Sequence, residues 1–550
     1  MPATTASSSP RRHWISGIQR HQPIEPVIEG ATIASDVEQR VLALLTHGGR
    51  PLDDVLRETI YHERQRLNGP ATRRQAVDQR LLERLRQALP SADARHQEEL
   101  VRLVVRHYLT EISGHFDPRV YRLATRVMPP ALGALLHGIS LHNRDVFYVG
   151  NRISISGRVA SLCKLSARGT ILLVPTHVSN LDSVILGWAL SNFGLRPFAY
   201  GAGLNLFERP LLGFFMQHLG AYTVDRSKHD PLYRWTLKEY ATALLEHGQH
   251  SLFFPGGTRS RSGALETRLK LGLLGTGIEA MRRCAEQGRP RRVFVVPCTL
   301  TYPLVLEAES LIRDFLRTEG GPQYFEGPDE SEHLQRWVEL IRGLYRLDLQ
   351  VHLRFGAALD PIGNEVDDEG RSQDPSGRLV DPLDYLRATS DSSEVRLDPE
   401  RDAEYTRLLS ARILAAYPRD VVAVSTSVAA HAIFELLTEA SRERSVFRML
   451  QEIPPSVPLT LDAITARIAR SLPALEAAEQ RGEITRAEIV RRGSPGVILE
   501  KAIATFATYH HERIASREGE LLRIHRPDLV YYYQNRVAPH LSSSSSGGSP

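Results

Sequence analysis

His177 and Asp182 stand five residues apart in the run PTHVSNLDS. Of the chain's 21 histidines, His177 alone has an aspartate at that spacing, although one such pair is about what chance supplies in a chain this long. An alcohol is too weak an acid to attack a thioester at neutral pH unless a base takes its proton. A neutral imidazole can do so, and a carboxylate bonded to its other nitrogen fixes the tautomer and stabilises the imidazolium. Thiolate leaves readily, so no strong general acid is required. The same residues also have a structural reading. Ser179 can cap the following helix, with Asp182 three positions on completing a capping box. Spacing alone favours the cap; the two readings are compatible, because a capped helix start holds a carboxylate rigidly.

A second chemical segment is FFPGGTRSRSG, residues 253–263. Its paired glycines let backbone N–H groups approach a ligand, and Arg259 and Arg261 can grip phosphate oxygens, with Lys270 in RLKLG as a further cation. A glycine-rich turn with solvated arginines is an equally good account of this segment taken alone. It is not a P-loop, since the Gly-to-GK[ST] spacing is absent. Arg226, in GAYTVDRS, carries no meaning by itself. The run VVPCTLTYP reads as a buried strand whose end lines a site.

The elements that must position these residues alternate. Apolar or β-branched runs occur at TILLVP, PFAYG, AYTV, SLFFP, VFVVPCTLTY and QVHLRF. A helical stretch follows from about Leu181 to Ser191, and LYRWTLKEYATALLEHG and KLGLLGTGIEAMRRCAEQG close on glycine as helix C-termini do. Strands alternating with helices predict an α/β domain with a mixed, mostly parallel sheet covered by helices, over residues 116–360. N-terminal to it, residues 31–115 show apolar residues three and four apart between charges, as in VEQRVLALL and EELVRLVVRHYLTEI. That pattern predicts a helical bundle with a solvated face; a basic amphipathic face on a membrane is the alternative. Residues 361–398, DPIGNEVDDEGRSQDPSGRLVDP and onward, read as an acidic Gly/Pro/Ser linker with neither period. Helical periodicity returns over 399–541. Residues 1–30 and 542–550 read as disordered tails, and no internal repeat is apparent.

Composition bounds the function. At 550 residues the chain suggests two or three domains. A net charge of +4 and a pI near 8.9 suit an anionic membrane surface or a phosphorylated substrate. Nucleic acid is a poor explanation without long Lys/Arg runs or a binding motif. Three widely spaced cysteines, Cys163, Cys284 and Cys298, give neither a disulfide framework nor a zinc spacing, and Cys298 in FVVPCTL reads as core. No run approaches the ~20 apolar residues of a spanning helix; PPALGALLHGI and LLGFFMQHLGAYTV are too short or broken. The chain is expected to be cytoplasmic or peripheral, with no metal site.

In this order the segments resemble the glycerol-3-phosphate and lysophosphatidate acyltransferase superfamily. PTHVSNLDS resembles its His-X4-Asp block, FERPLLGFFMQHLGAYTVDRS its second block, FFPGGTRSRSG its third and VFVVPCTLTYP its fourth. The likeness spans residues 118–356, and PDLVYYYQNRVAPHL resembles the closing helix of the long bacterial glycerol-3-phosphate acyltransferases. It implies that His177 is the base and Asp182 its orienting partner. It further implies that Arg226, Gly257, Thr258, Arg259, Ser260, Arg261 and Lys270 bind the phosphorylated acceptor. The expected activity is transfer of an acyl group from acyl-CoA or acyl carrier protein to glycerol-3-phosphate at a membrane face, without a cofactor. Acyl carrier protein and an anionic membrane surface are the expected partners. Lysophosphatidate or dihydroxyacetone phosphate as acceptor, or a non-catalytic lipid-binding role, are the rivals. Two departures bear on this. The third block usually carries a glutamate where Gly256 stands. The second commonly carries paired arginines in the glycerol-3-phosphate enzymes, where Asp225-Arg226 here is closer to the lysophosphatidate acyltransferases, while RSRSG leans towards the glycerol-3-phosphate side. The segment LNLFERPLLGFFMQHL is the candidate membrane contact.

Overall fold

Seven strands run through the middle of the chain: Ile153–Gly157 (β1), Thr170–Pro175 (β2), Ala199–Gly203 (β3), Ala221–Val224 (β4), Ser251–Leu252 (β5), Val293–Thr301 (β6) and Val351–Phe355 (β7). Six of them coincide with the apolar runs read from the sequence. The unanticipated one, β1, has the sequence ISISG and is only half-buried, so its apolar signal is two residues long. The computed structural model describes residues 30–68, 73–123, 153–204, 217–320, 350–387, 394–441, 443, 445–453, 456–507, 510 and 512–541. Both tails, the PPALGALLHGI run and residues 205–216 of the candidate membrane segment lie outside the described residues.

The chain divides into two units, Met1–Thr125 with Ser183–Ser251, and Arg126–Asp182 with Leu252–Pro550. In the first unit, helices Gly30–His47, Leu52–Arg66, Arg73–Ala88 and Ala94–Ile112 share a core with helix Pro231–Glu246. Helix Ala94–Ile112 shows why: Val101, Val104, Val105, Tyr108 and Ile112 recur at three- and four-residue spacing and are all buried. Helix Pro231–Glu246 starts on Asp230, whose carboxylate accepts the Leu232 N–H at 3.2 Å, with proline at the first helical position. In the same unit β3 and β4 pair in parallel, Tyr200 opposite Ala221.

The second unit carries the strand order β1-β7-β6-β2. β1 with β7 and β2 with β6 are parallel, Ile171 opposite Phe294; β6 with β7 is antiparallel, Leu300 opposite Leu353. The sheet is thus mixed and mostly parallel, and helices cover it. β2 and β6 are buried along their whole length, as strands clothed on both faces must be. Helices Thr276–Glu286 and Pro399–Asp420 both pack on β6, and helix Val159–Ser166 packs on β2.

Toward the C-terminus, helix Ser425–Ala440 packs against Leu461–Gln480, Pro495–Phe506 and Pro527–Gln534. Its first nine residues, Ser425 to Ile433, are all buried, the mark of a helix surrounded by others.

Residues 361–387 differ from the expected aperiodic linker. They form three short antiparallel strands, Glu365–Val366 (β8), Ser372–Gln373 (β9) and Leu379–Val380 (β10), then a 3-10 turn at Pro382–Leu386. Two identical turns make this possible. Asp367 and Asp374 each begin an Asp-X-X-Gly-Arg unit whose glycine, Gly370 or Gly377, takes φ +82°. Each aspartate accepts the N–H of the arginine four residues on, Arg371 at 2.8 Å and Arg378 at 3.0 Å. Polar turn chemistry, which leaves no apolar period in the sequence, specifies these hairpins.

Candidate active site

The buried strand β2 ends at Pro175, and the chain turns into His177 and a helix that begins at Asp182. His177 Nδ1 lies 2.8 Å from Asp182 Oδ2. The imidazole is 16 % exposed and the carboxylate wholly buried, which leaves Nε2 as the nitrogen available to a substrate. The other Asp182 contacts fix its position. Oδ2 also accepts the N–H groups of Val178 at 2.6 Å and Ser179 at 3.0 Å, and Oδ1 accepts the Tyr302 hydroxyl at 2.6 Å. Four donors on one buried carboxyl fix its rotamer and hold it against His177. The cap and the catalytic reading coincide: Asp182 accepts the Ser179 N–H while Ser179 Oγ accepts the Leu181 N–H at 3.2 Å.

The glycine-rich segment grips the same histidine. Ser260 N–H donates to the His177 carbonyl at 2.8 Å, and the His177 ring stacks on Phe254 with centroids 4.0 Å apart. The His177 N–H donates to Glu266 Oε1 at 2.9 Å. A β-carbon at Gly256 would lie 2.9 Å from Glu266 Cγ. The carboxylate absent at position 256 therefore has a neighbour, Glu266, crowded against that α-carbon. Burial pushes the Glu266 carboxyl above its ordinary value, opposed by the charge of Arg536.

Glu307, just beyond β6, ties three segments together. It accepts the Ser179 hydroxyl and the Asn180 N–H, each at 2.9 Å, and its Oε1 lies 3.3 Å from Arg259 Nη1. Burial raises its carboxyl, and Arg259 is the largest opposing influence. Tyr302 closes β6 against Asp182; burial first, then the Asp182 charge, pushes its phenol well above the ordinary value, so it remains a donor.

The remaining sequence candidates of the second unit make fewer contacts with these residues. Arg261 pairs with Asp314 at 3.1 Å and reaches Thr318 at 3.3 Å. Thr258 and Lys270 are exposed, and the Lys270 stem lies against Gly257, whose φ is +81°. Arg226 is exposed and belongs to the first unit. Sequence reasoning missed Glu266, Tyr302 and Glu307 as site residues. The tyrosine ends a strand already read as lining a site; the glutamates carry no spacing signal.

The closing segment PDLVYYYQNRVAPHL is also on the site. Tyr533 Oη accepts the Val305 N–H at 3.1 Å, and Asn535 Nδ2 donates to the Ser262 carbonyl at 2.8 Å. Gly263, at φ +78°, brings its α-carbon so close to the Tyr532 carbonyl that a β-carbon would sit 2.0 Å from the oxygen.

Elsewhere, Asp78, His107 and Glu111 in the first unit offer ligand atoms within 4.8 Å of one another. Cations of the chain already fill that space. Lys228 Nζ lies 2.5 Å from Glu111 and 3.7 Å from Asp78, and Arg66 also pairs with Asp78. This is an internal ion network. Cys298 is wholly buried on β6 and burial pushes its thiol up, so it is core. No helix among the described residues is long and apolar enough to cross a membrane.

Residues 157–301, from the end of β1 through β6, match the family model described as Acyltransferase. That stretch contains His177, Asp182 and the glycine-rich segment. Among solved structures, the chain is similar to the 1-acyl-sn-glycerophosphate (LPA) acyltransferase PlsC from Thermotoga maritima. Identity is 14%, coverage 57% of this chain and 94% of that one, and the TM-score 0.24.

Proposed function

We propose that this protein transfers a fatty acyl group from an acyl-CoA or acyl carrier protein thioester to the sn-1 hydroxyl of glycerol-3-phosphate, giving lysophosphatidate. The observation that carries the reading is the His177–Asp182 pair, with the carboxylate buried and saturated by donors and the imidazole reaching the surface. His177 Nε2 takes the hydroxyl proton as the oxygen attacks the thioester carbonyl. Asp182 holds Nδ1 protonated and balances the imidazolium. Collapse of the tetrahedral intermediate expels the thiolate, and the proton on His177 returns to it. The acyl thioester is a co-substrate, and the chemistry calls for no cofactor.

Arg259, paired with Glu307, supports a phosphorylated acceptor of any of the three kinds; the choice of glycerol-3-phosphate rests on the closing segment, which resembles that of the long bacterial glycerol-3-phosphate acyltransferases and bonds the glycine-rich segment. Work at the cytoplasmic face of an anionic membrane, where acyl chains partition, belongs to the same proposal. Purified protein offered one labelled thioester and, separately, glycerol-3-phosphate, lysophosphatidate and dihydroxyacetone phosphate tests it. Product from glycerol-3-phosphate is expected; product from lysophosphatidate or dihydroxyacetone phosphate alone reassigns the acceptor. A folded protein inert with all three is the result a non-catalytic lipid-binding relative would give.

A further inference from the structure

Arg536 follows the closing helix Pro527–Gln534, in the C-terminal helical region rather than in the stretch that matches the family model. It is only 8 % exposed. Among the described residues neither of its Nη atoms has a hydrogen-bond partner. A guanidinium carries five donors and a fixed charge, and burying it without a partner is costly. The side chain lines a narrow pocket together with Val178, Gly263, Tyr302, Thr426 and Tyr532. Val178 adjoins His177, Tyr302 bonds Asp182 and Gly263 closes the glycine-rich segment, so the pocket borders the dyad.

Three further polar atoms around this region are buried and unpaired in the same sense: Tyr532 Oη, Thr426 Oγ1 and Glu266 Oε2. Arg259 Nη1 has the Glu307 carboxylate within ion-pair reach but makes no aligned hydrogen bond. Burial pushes the Tyr532 phenol up; the charges of Arg536 and Arg259 oppose that, and those of Glu307 and Asp182 add to it. Isolated unsatisfied groups are rare in folded proteins. A guanidinium and two hydroxyls sharing one pocket form the donor set that a small oxyanion requires.

We infer that Arg536, with Tyr532 and Thr426, is the phosphate-binding subsite of the acceptor, supplied to the acyltransferase domain by the C-terminal helical region. The inference rests on the acyl-transfer reading and names the group that reading left unassigned. The planar fork of arginine matches two phosphate oxygens, where a lysine would offer a point charge. Phosphate is larger than this narrow pocket, so its binding would require the lining side chains to move apart. An acyl chain is a poorer match, because it would leave all of these donors unpaired. Glu266 faces the same region; its raised carboxyl is more readily neutral, which lessens its repulsion of a dianion. Arg259, on the glycine-rich segment, then acts beside Glu307 rather than as the sole phosphate ligand.

The test compares wild type, Arg536→Lys and Arg536→Gln, each checked for folding by circular dichroism. For the active protein, KM for glycerol-3-phosphate is expected to rise at least tenfold in both variants, with KM for the acyl thioester within about twofold of wild type. Arg536→Lys with wild-type acceptor KM would mean that the residue is only a counter-charge to Glu266, and overturns the inference. A second readout does not need turnover: inorganic phosphate is expected to raise the melting temperature of wild type and to leave Arg536→Gln unmoved. If no acceptor is acylated yet phosphate still protects wild type alone, the subsite stands and the proposed reaction falls. If phosphate protects both proteins equally, or neither, the subsite is refuted.

Discussion

Replacing Asp182 by asparagine separates the chemistry of the dyad from its role in the fold. The carboxylate receives four hydrogen bonds, from His177 Nδ1, Val178 N, Ser179 N and Tyr302 Oη, and is wholly buried. Alanine would strand all four donors at about 1–3 kcal/mol each, a sum comparable to the ~5–15 kcal/mol that holds a domain folded. Asp182→Ala is therefore expected to be recovered unfolded. Asparagine is different. Its carbonyl can occupy the Oδ2 position where three N–H donors converge, and its amide can face the Tyr302 oxygen. What it cannot do is balance an imidazolium. At a charge separation of about 4 Å and an effective dielectric constant of about 20, that balance is worth about 4 kcal/mol, or about a thousandfold in rate. Thiol release from the acyl thioester, measured with saturating acceptor, should show kcat down by roughly that factor in Asp182→Asn, with both KM values little changed. The circular dichroism spectrum and cooperative melt of the wild type should persist. A folded Asp182→Asn protein with kcat within threefold of wild type would refute the reasoning, because Asp182 would then be a helix cap and nothing more.

Other perturbations follow from the same contacts. Tyr302→Phe removes the donor on Asp182 Oδ1 and leaves that oxygen buried without its tyrosine partner; it should cost about 1–3 kcal/mol in denaturant unfolding and lower kcat. Gly263→Ala must place a methyl 2.0 Å from the Tyr532 carbonyl oxygen at a φ of +78°. It should separate the glycine-rich segment from the closing helix, lowering the melting temperature by several degrees, and an unchanged melt would contradict the packing described. His352, on β7, has its pKa lowered by burial from 6.5 to about 4. The folded state therefore binds fewer protons than the unfolded state between those values. Stability is fully present above pH 6.5 and is lost as pH falls toward 4, by at most about 3 kcal/mol, and less in so far as the ring meets solvent. His352→Gln should flatten that acid limb in urea titrations across the window; an unaltered limb would show that other groups cause it.

The strands and helices that frame the site could be read because burial writes itself into composition. β2 and β6 are continuous apolar runs since both faces are covered. Helix Pro231–Glu246 declares its start with Asp230 and proline and its end with Gly248 at φ +81°. β1 escaped notice because it is short and half-exposed, and the β8–β10 meander because its order lies in two Asp-X-X-Gly-Arg turns rather than in apolar residues. At the site, the spacing of His177 and Asp182 alone favours a helix cap, and their catalytic reading comes from the ordered segments that resemble the acyltransferase superfamily. Glu266 is 89 residues from His177, and Glu307 is 128 from Ser179, distances over which a single sequence holds no pairing rule. Arg261 stood out beside Arg259 in TRSRSG, yet it is Arg259 that lies by Glu307 while Arg261 reaches Asp314 on helix Ala308–Gly320. Arg536 was invisible for the same reason as the glutamates, since its significance is an unfilled valence that only folding creates.

The central claim is that His177 deprotonates an acceptor hydroxyl for acyl transfer. It is tested most directly by incubating wild type and His177→Ala with a labelled acyl thioester and glycerol-3-phosphate, and identifying the products by mass spectrometry. The account predicts one thiol released per acyl-glycerol-3-phosphate formed by wild type, with the label ester-linked at the sn-1 oxygen. It predicts product at the uncatalysed level from the folded variant. Acyl transfer that survives undiminished in His177→Ala would contradict it.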